Sequence, residues 1–393
     1  MSKNTRVGLI GAGYISDWHA DAIVATKGAE LTCVVDSNLG AAEAFATARG
    51  IAAFASVQDM LAANAADAVH VLTPPEYHRS VAQECIAGGM HVLVEKPVAL
   101  SAFDVEEIAA AAQDRGVQFA AGHNFLGLPS YLRLKSMLAA GELGRVSTAE
   151  INWCFPLVPL RSGPYGIWLM RETRNLLQEL GPHLFAFMQD LFGDVEILHV
   201  QTSNDIGLPD GGTRPQGWRI LARAGNVDVT LNLALVETYD DRSVVVRGSS
   251  AMARLDYAKD TLIASGVNTS DLVLNPLRSA LGQSFGHLRE GVVNAMRQLT
   301  SLNQKSPYGL SFLGMCAEVY DALAQDRPID ARFSGASAVK VMGAIDDALT
   351  HLPAGPKPAK PSGSPKPSGS PKPTALVIGG TGFIGRALTL SLI

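Results

Sequence analysis

The sequence predicts an α/β protein: an N-terminal Rossmann-type doubly wound parallel sheet, then an α+β domain with a large, mostly antiparallel open sheet. Three observations carry that prediction. Short apolar runs alternate with alanine-rich helical stretches across the first part of the chain, the pattern of a parallel sheet wrapped by helices. A glycine turn directly follows the first of these runs. After Gly122 the texture changes to β-branched alternation, as in "VDVTLNLALVET" and "SVVVRGS", which suits strands with one buried face.

In chain order, strands are expected at 7–10, 31–35, 68–72, 92–94 and 117–121, and a helix over 131–140. The segment "GELGRVSTAEINWCF" reads as a turn and a long strand, and a helical stretch follows near 175–191. Several further strands, among them "VEILHVQTS" and "ARLDYA", precede helical stretches at about 288–302, 310–325 and 336–349. The expected domains are 1–124, which binds a dinucleotide, and 125–352, which binds substrate and carries the oligomer contacts. Residues 353–373, rich in Pro, Ser, Gly and Lys, cannot build a core and read as an extended linker.

Bulk properties narrow the function. With 393 residues the chain can bury a large core, and at 47% hydrophobic and 18% charged its composition suits a soluble cytoplasmic enzyme. A net charge of −5 argues against a nucleic-acid or anionic-membrane binder, since both call for a basic face. No window reaches the length of uninterrupted apolar sequence that a membrane span requires. Cys33, Cys85, Cys154 and Cys316 show no metal-ligand spacing, and no metal site is expected.

In "RVGLIGAGYISDWHA", Gly11 permits a tight turn and Gly13 lets the backbone approach a pyrophosphate at a helix N-terminus, with Tyr14 and Ile15 opening that helix. Ser16 stands at the third fingerprint position. "LTCVVD" ends at Asp36, where a carboxylate can accept from ribose hydroxyls and would repel a 2′-phosphate, favouring NAD over NADP. Two later strand ends carry Thr73-Pro74-Pro75 with His78, and Glu95-Lys96-Pro97.

The glycine turn, the TPP-x-x-H stretch, "HVLVEKP" and "GELGRV" together resemble the Gfo/Idh/MocA family of nicotinamide-dependent oxidoreductases across residues 5–350. The resemblance implies that Thr73, Pro74, His78, Glu95 and Lys96 lie at the cofactor, and that Lys96 reaches the substrate oxygen. It also implies that the helix containing "LLQELGPHLFAFMQDLFG" places an acid four residues before a catalytic histidine, here Glu179 and His183. Relatives usually have aspartate at position 179 and a further aspartate where Ala186 stands. Pro182 is tolerated in a helix's first turn, so the helix is expected to begin near Gly181, with Glu179 just outside it.

His123 and Asn124, at the end of the expected sixth strand, are candidate contacts to substrate and nicotinamide ribose. Arg161, Tyr165, Trp168, Arg171 and Asn175 lie in a segment whose aromatic faces and planar donors suit sugar rings and anionic groups. The expected reaction is hydride transfer between NAD and a hydroxyl or keto carbon of a sugar, inositol or nucleotide-sugar. An alternative is a lyase, epimerase or glycoside-cleaving enzyme using tightly bound NAD transiently; another is a non-catalytic NAD-binding sensor. A homo-oligomer is expected. Finally, "TALVIGGTGFIG", with Gly379, Gly382 and Gly385, resembles the start of an extended short-chain dehydrogenase/reductase. On that reading 374–393 opens a second, covalently linked enzyme domain.

Overall fold

The computed structural model describes residues 4–158, 167–208, 212–236, 239–266, 275–301 and 305–352. The first half alternates β1 (Thr5–Ile10), α1 (Tyr14–Ala25), β2 (Ala29–Val35), α2 (Leu39–Arg49), β3 (Ala52–Phe54), α3 (Val57–Ala62), β4 (Ala68–Val71), α4 (Pro75–Ala87), β5 (His91–Glu95), α5 (Ala102–Arg115) and β6 (Phe119–Gly122). The six strands form one sheet of order β3-β2-β1-β4-β5-β6, parallel throughout. Chain direction across the sheet reverses at β1, so β1 and β4 part at their carboxyl ends and leave a crevice there. Local chemistry starts the helices: the side chains of Asn38, Ser56 and Ser101 accept from the backbone N–H of Ala41, Asp59 and Asp104.

Beyond a short 3₁₀ turn at Asn124–Gly127, α6 (Pro129–Ala139) leads to β7 (Val146–Cys154), α7 (Trp168–Arg171) and α8 (Thr173–Phe192). Then come β8 (Val195–Gly207), β9 (Thr213–Ala224), β10 (Val227–Ala234), β11 (Asp241–Gly248), β12 (Ala251–Asp256) and β13 (Thr261–Gly266). The second sheet runs β13-β12-β11-β7-β10-β9-β8, antiparallel except where β7 meets β10. Its strands alternate as the sequence predicts: in β10, Val227, Val229, Leu231 and Leu233 are buried and the residues between them are not.

Helix α8 departs from expectation. It starts at Thr173, so Pro182 lies in its interior and Glu179 and His183 share one continuous helix. An interior proline costs about 3 kcal/mol through its missing N–H and steric clash. Here every residue from Leu180 to Met188 is buried, and that packing outweighs the local penalty.

The last helices are α9 (Asn275–Thr300), α10 (Pro307–Ala324) and α11 (Gly335–Thr350). α9 begins well before residue 288, where the sequence placed its start. α10 returns to pack on α1, β1 and the 124–127 turn, while α11 packs on α5, α8 and β8. These two helices therefore join the sheets instead of belonging only to the second domain. No helix among the described residues is long and apolar enough to cross a membrane. The linker 353–373 and the 374–393 segment lie outside the described residues.

Candidate active site

A cavity of about 880 Å³ opens at the carboxyl ends of β1, β2 and β4. Gly11, Gly13, Tyr14, Ile15, Asp36 and Thr73 stand on its walls, together with Pro74. Gly11 has φ +113, and a Cβ there would come 2.9 Å from the Leu72 carbonyl oxygen, so the turn admits only glycine. A Cβ on Gly13 would meet no protein atom within 4 Å, which leaves the backbone open to the cavity. Ser16 is fully buried and its hydroxyl donates to the Gly11 carbonyl at 2.7 Å. The departure from glycine at the third position thus closes the turn with a hydrogen bond.

The Asp36 carboxylate accepts from the Ala12 N–H at 2.9 Å and the Asn38 N–H at 2.8 Å. These bonds fix it across the mouth of the glycine turn, with lone pairs to spare for further donors. The Thr73 hydroxyl is buried without a partner among the described residues. An extended cavity over a helix N-terminus, an unobstructed glycine, a fixed carboxylate and an unpaired hydroxyl together fit a dinucleotide.

His78 is buried with its ring between two carbonyls, Thr73 O at 2.6 Å and Pro97 O at 2.8 Å. It ties the cavity wall to the turn that carries Lys96, and so touches the site only through backbone. The Lys96–Pro97 peptide is cis. Lys96 Nζ lies 2.5 Å from Glu179 Oε1 and 3.4 Å from the Glu179 carbonyl. Burial pulls the Lys96 pKa down, but Glu179 and then Glu95 outweigh it and the net shift is upward. Lys96 is therefore an ammonium paired with Glu179 and stabilised further by the nearby Glu95. Burial raises the Glu95 carboxyl to about 7, against the opposing pull of Lys96 and His78.

His183 follows Glu179 by one helical turn but does not share its hydrogen bond. Its imidazole stacks on the Trp153 indole, centroids 5.2 Å apart and planes 4° from parallel, and meets the edge of Phe125 at 4.8 Å. The Arg242 guanidinium lies 5.3 Å from the Trp153 ring. Burial, then Lys96, His123 and Arg242, hold the His183 pKa well below its usual value. The ring is neutral and can accept a proton. Sequence reasoning missed Trp153, Phe125 and Arg242; Trp153 stood in a strand the sequence did identify, and its size was the available signal. It also missed Tyr308, whose burial and nearness to Glu95, Tyr14 and Glu179 raise its pKa.

Asn124 is 1% exposed and donates to Ser311 at 2.8 Å, while its carbonyl oxygen has no partner among the described residues. His123 is also buried, its pKa lowered by burial to about 4, and its Nδ1 has no partner among the described residues. Asn175 donates to the Trp168 carbonyl at 2.6 Å, bracing the short α7 against α8. Arg171 is exposed and pairs with Glu76 at 3.4 Å, at the start of α4 beside the cavity. Arg161 and Tyr165 lie outside the described residues.

Residues 5–123 match the model for the oxidoreductase family NAD-binding Rossmann fold, and residues 131–254 match that for the GFO/IDH/MocA C-terminal domain. A 1,5-anhydro-D-fructose reductase of Ensifer adhaerens is 33% identical over 160 residues, covering 40% of this chain and 48% of that protein. An inositol 2-dehydrogenase of Rhizobium meliloti (strain 1021) is 22% identical over 333 residues, covering 82% and 98%. The chain spans about half the length of the first curated relatives it matches. Among solved structures, the WlbA dehydrogenase from Bordetella pertussis, in complex with NADH and UDP-GlcNAcA, superposes with a TM-score of 0.69. It is 19% identical, with 89% of this chain and 96% of that one covered, and this likeness shows the shared fold.

Proposed function

We propose that this chain, which over residues 5–123 and 131–254 belongs to the Gfo/Idh/MocA oxidoreductase family, is an NAD-dependent oxidoreductase. Its substrate on this reading is a hydroxyl or keto carbon of a polyhydroxylated small molecule: a sugar, an inositol or a nucleotide-sugar. The observation that carries the proposal is the Lys96–Glu179 contact of 2.5 Å. It places a charged donor where the Rossmann sheet meets the second domain, on the turn next to the cavity wall.

In this reading Gly11, Gly13, Tyr14 and Ile15 receive the pyrophosphate, Asp36 the adenosine ribose, and Thr73 and Pro74 the adjoining part of the dinucleotide. The nicotinamide, when bound, supplies the hydride acceptor or donor. Lys96 polarises the substrate oxygen, and Glu179 holds the ammonium in place. Neutral His183 accepts the hydroxyl proton. Protonated His183 would be a second buried cation beside Lys96, so the proton is readily given up and the same site serves the reverse reaction. Trp168 and Arg171, with Arg161 and Tyr165, are the proposed substrate contacts. The inositol 2-dehydrogenase relative and the UDP-GlcNAcA complex support a polyhydroxylated substrate.

The test is Lys96→Met. It should leave NAD binding intact and lower turnover by at least about a hundredfold; full activity in that variant would refute the mechanism. Substrate loss without accumulation of reduced nicotinamide would instead mark a lyase or epimerase using NAD transiently. Assembly with a second copy is supported by α9, where Leu281, Phe285, Leu288, Val292, Met296 and Leu299 are all substantially exposed. Their spacing of three and four forms an apolar seam, which suits pairing of two identical helices about a two-fold axis. Light scattering of Phe285→Glu should then report a smaller particle than wild type.

A further inference from the structure

Four buried titratable side chains, which the reaction as described does not use, form a line leading away from Lys96. Glu95 Oε2, at the end of β5, lies 3.3 Å from His19 Nε2 on α1. His19 Nδ1 lies 2.8 Å from His70 Nδ1 on β4. His70 Nε2 lies 2.7 Å from the Tyr320 hydroxyl on α10. His19 and His70 are 0% exposed, Tyr320 1% and Glu95 6%. Each ring uses both nitrogens within the line, so neither has a lone pair or N–H left for another role. β4 is buried along its whole length and otherwise apolar, and a histidine there carries a large desolvation cost unless both nitrogens are satisfied.

We propose that Glu95, His19, His70 and Tyr320 form a proton relay that sets the charge beside Lys96 from the side of the protein away from the cofactor cavity. All the links are donor–acceptor pairs that work in either direction, so the line has two self-consistent states. In one, the Tyr320 O–H donates to His70 Nε2, His70 Nδ1–H donates to His19 Nδ1, and His19 Nε2–H donates to ionised Glu95. In the other, protonated Glu95 donates to His19 Nε2, His19 Nδ1–H donates to His70 Nδ1, and His70 Nε2–H donates to the Tyr320 oxygen, whose own proton points outward to water.

A single concerted shift converts the second state into the first. The Glu95 O–H, His19 Nδ1–H, His70 Nε2–H and Tyr320 O–H bonds break. Bonds form at His19 Nε2, His70 Nδ1, the Tyr320 oxygen and a water beyond it. No ring becomes charged, in keeping with the burial that holds both imidazoles far below their usual pKa. Beyond Tyr320 a cavity of about 10 Å³ reaches the half-buried His91, about the lower bound for one water.

Glu95 is faced by Lys96, by His78 on α4, His19 on α1 and Tyr308 on α10, and Glu179 on α8 acts on the same Lys96, His78 and Tyr308. Space for its carboxyl comes from Gly122 on β6, where a Cβ would lie 2.6 Å from Oε2. Burial puts its titration at about 7. These four are positioning residues, acting on the substrate oxygen through the Lys96 ammonium.

The relay itself is tested without cofactor, by ¹⁵N NMR of the His19 and His70 ring nitrogens across neutral pH. Both rings should exchange their protonated nitrogen together, His19 from Nδ1 to Nε2 and His70 from Nε2 to Nδ1 as pH rises. The exchange should vanish in Glu95→Gln and in Tyr320→Phe. Rings that keep one tautomer, exchange independently, or still exchange in Tyr320→Phe would overturn it. The link to turnover rests on the oxidoreductase reading. There, Tyr320→Phe should shift the neutral limb of the kcat profile and enlarge the solvent isotope effect, with KM for NAD unchanged. An unaltered profile and isotope effect would overturn that link. Absence of any dehydrogenase activity in the wild type would count against the oxidoreductase reading and leave the NMR result to judge the relay.

Discussion

The Lys96 ammonium lies 2.5 Å from the Glu179 carboxylate, spanning the gap between the end of β5 and the buried helix α8. Their side chains are 14% and 26% exposed, too little for water to screen the pair fully. The contact of Glu179 is with the lysine, while the His183 ring one turn later stacks on Trp153.

Lys96→Met should lower kcat by roughly a hundredfold to ten-thousandfold, the span of acid–base contributions, with NAD affinity within about twofold by calorimetry. Glu179→Gln keeps the size and removes the charge. It should cost about tenfold in kcat, ~1.4 kcal/mol, and lower the pH at which the Lys96 ammonium deprotonates.

Asp36→Ser should narrow the preference for NAD over NADP by at least about tenfold, ~1.4 kcal/mol, measured as the ratio of the two dissociation constants. It also removes the acceptor for the Ala12 and Asn38 N–H groups, so absolute NAD affinity should fall as well. Unchanged discrimination would remove Asp36 from the ribose site.

Gly122→Ala should destabilise the fold by about 1–3 kcal/mol, in the range for overpacking, because its Cβ would lie 2.6 Å from Glu95 Oε2 and 3.0 Å from the Val94 carbonyl. Chemical denaturation reads the stability. Displacement of Glu95 should also appear as loss of the coupled behaviour of His19.

Stability should rise with pH up to about 6.5 and then flatten. Burial depresses His19 to about 3 and His123 to about 4, and lowers His70, His78 and His183. The unfolded chain binds these protons near pH 6.5 and the folded chain refuses them, so stability is lost as pH falls below that value. Each neutral buried histidine contributes about 1.4 kcal/mol per pH unit. Glu95 works in the opposite sense: raised to about 7, its contribution is full at low pH and is lost as pH climbs through about 7. Five histidines outweigh one carboxyl, so urea midpoints at pH 5 should lie well below those at pH 7. Equal midpoints would mean that these rings are charged in the folded state.

What the sequence determined by itself was local. Glycines after an apolar run can only be a tight turn, Asp36 ends a strand whose apolar run is legible, and period-two alternation marked the second sheet. Glu-Lys-Pro at a strand end was legible as a motif, while the part assigned to Lys96 came from the family resemblance. The tertiary structure decided which groups meet. Lys96 and Glu179 are 83 residues apart, and His70 and Tyr320 are 250 apart; neither periodicity nor spacing encodes such pairs. Pro182 was misread for the same reason, since its local penalty is visible in sequence and the packing that overrides it is not. His19 and His70 carried no legible role until α10 returned across the first sheet and supplied Tyr320. A buried imidazole is defined by its partners, and here those partners come from four separate elements.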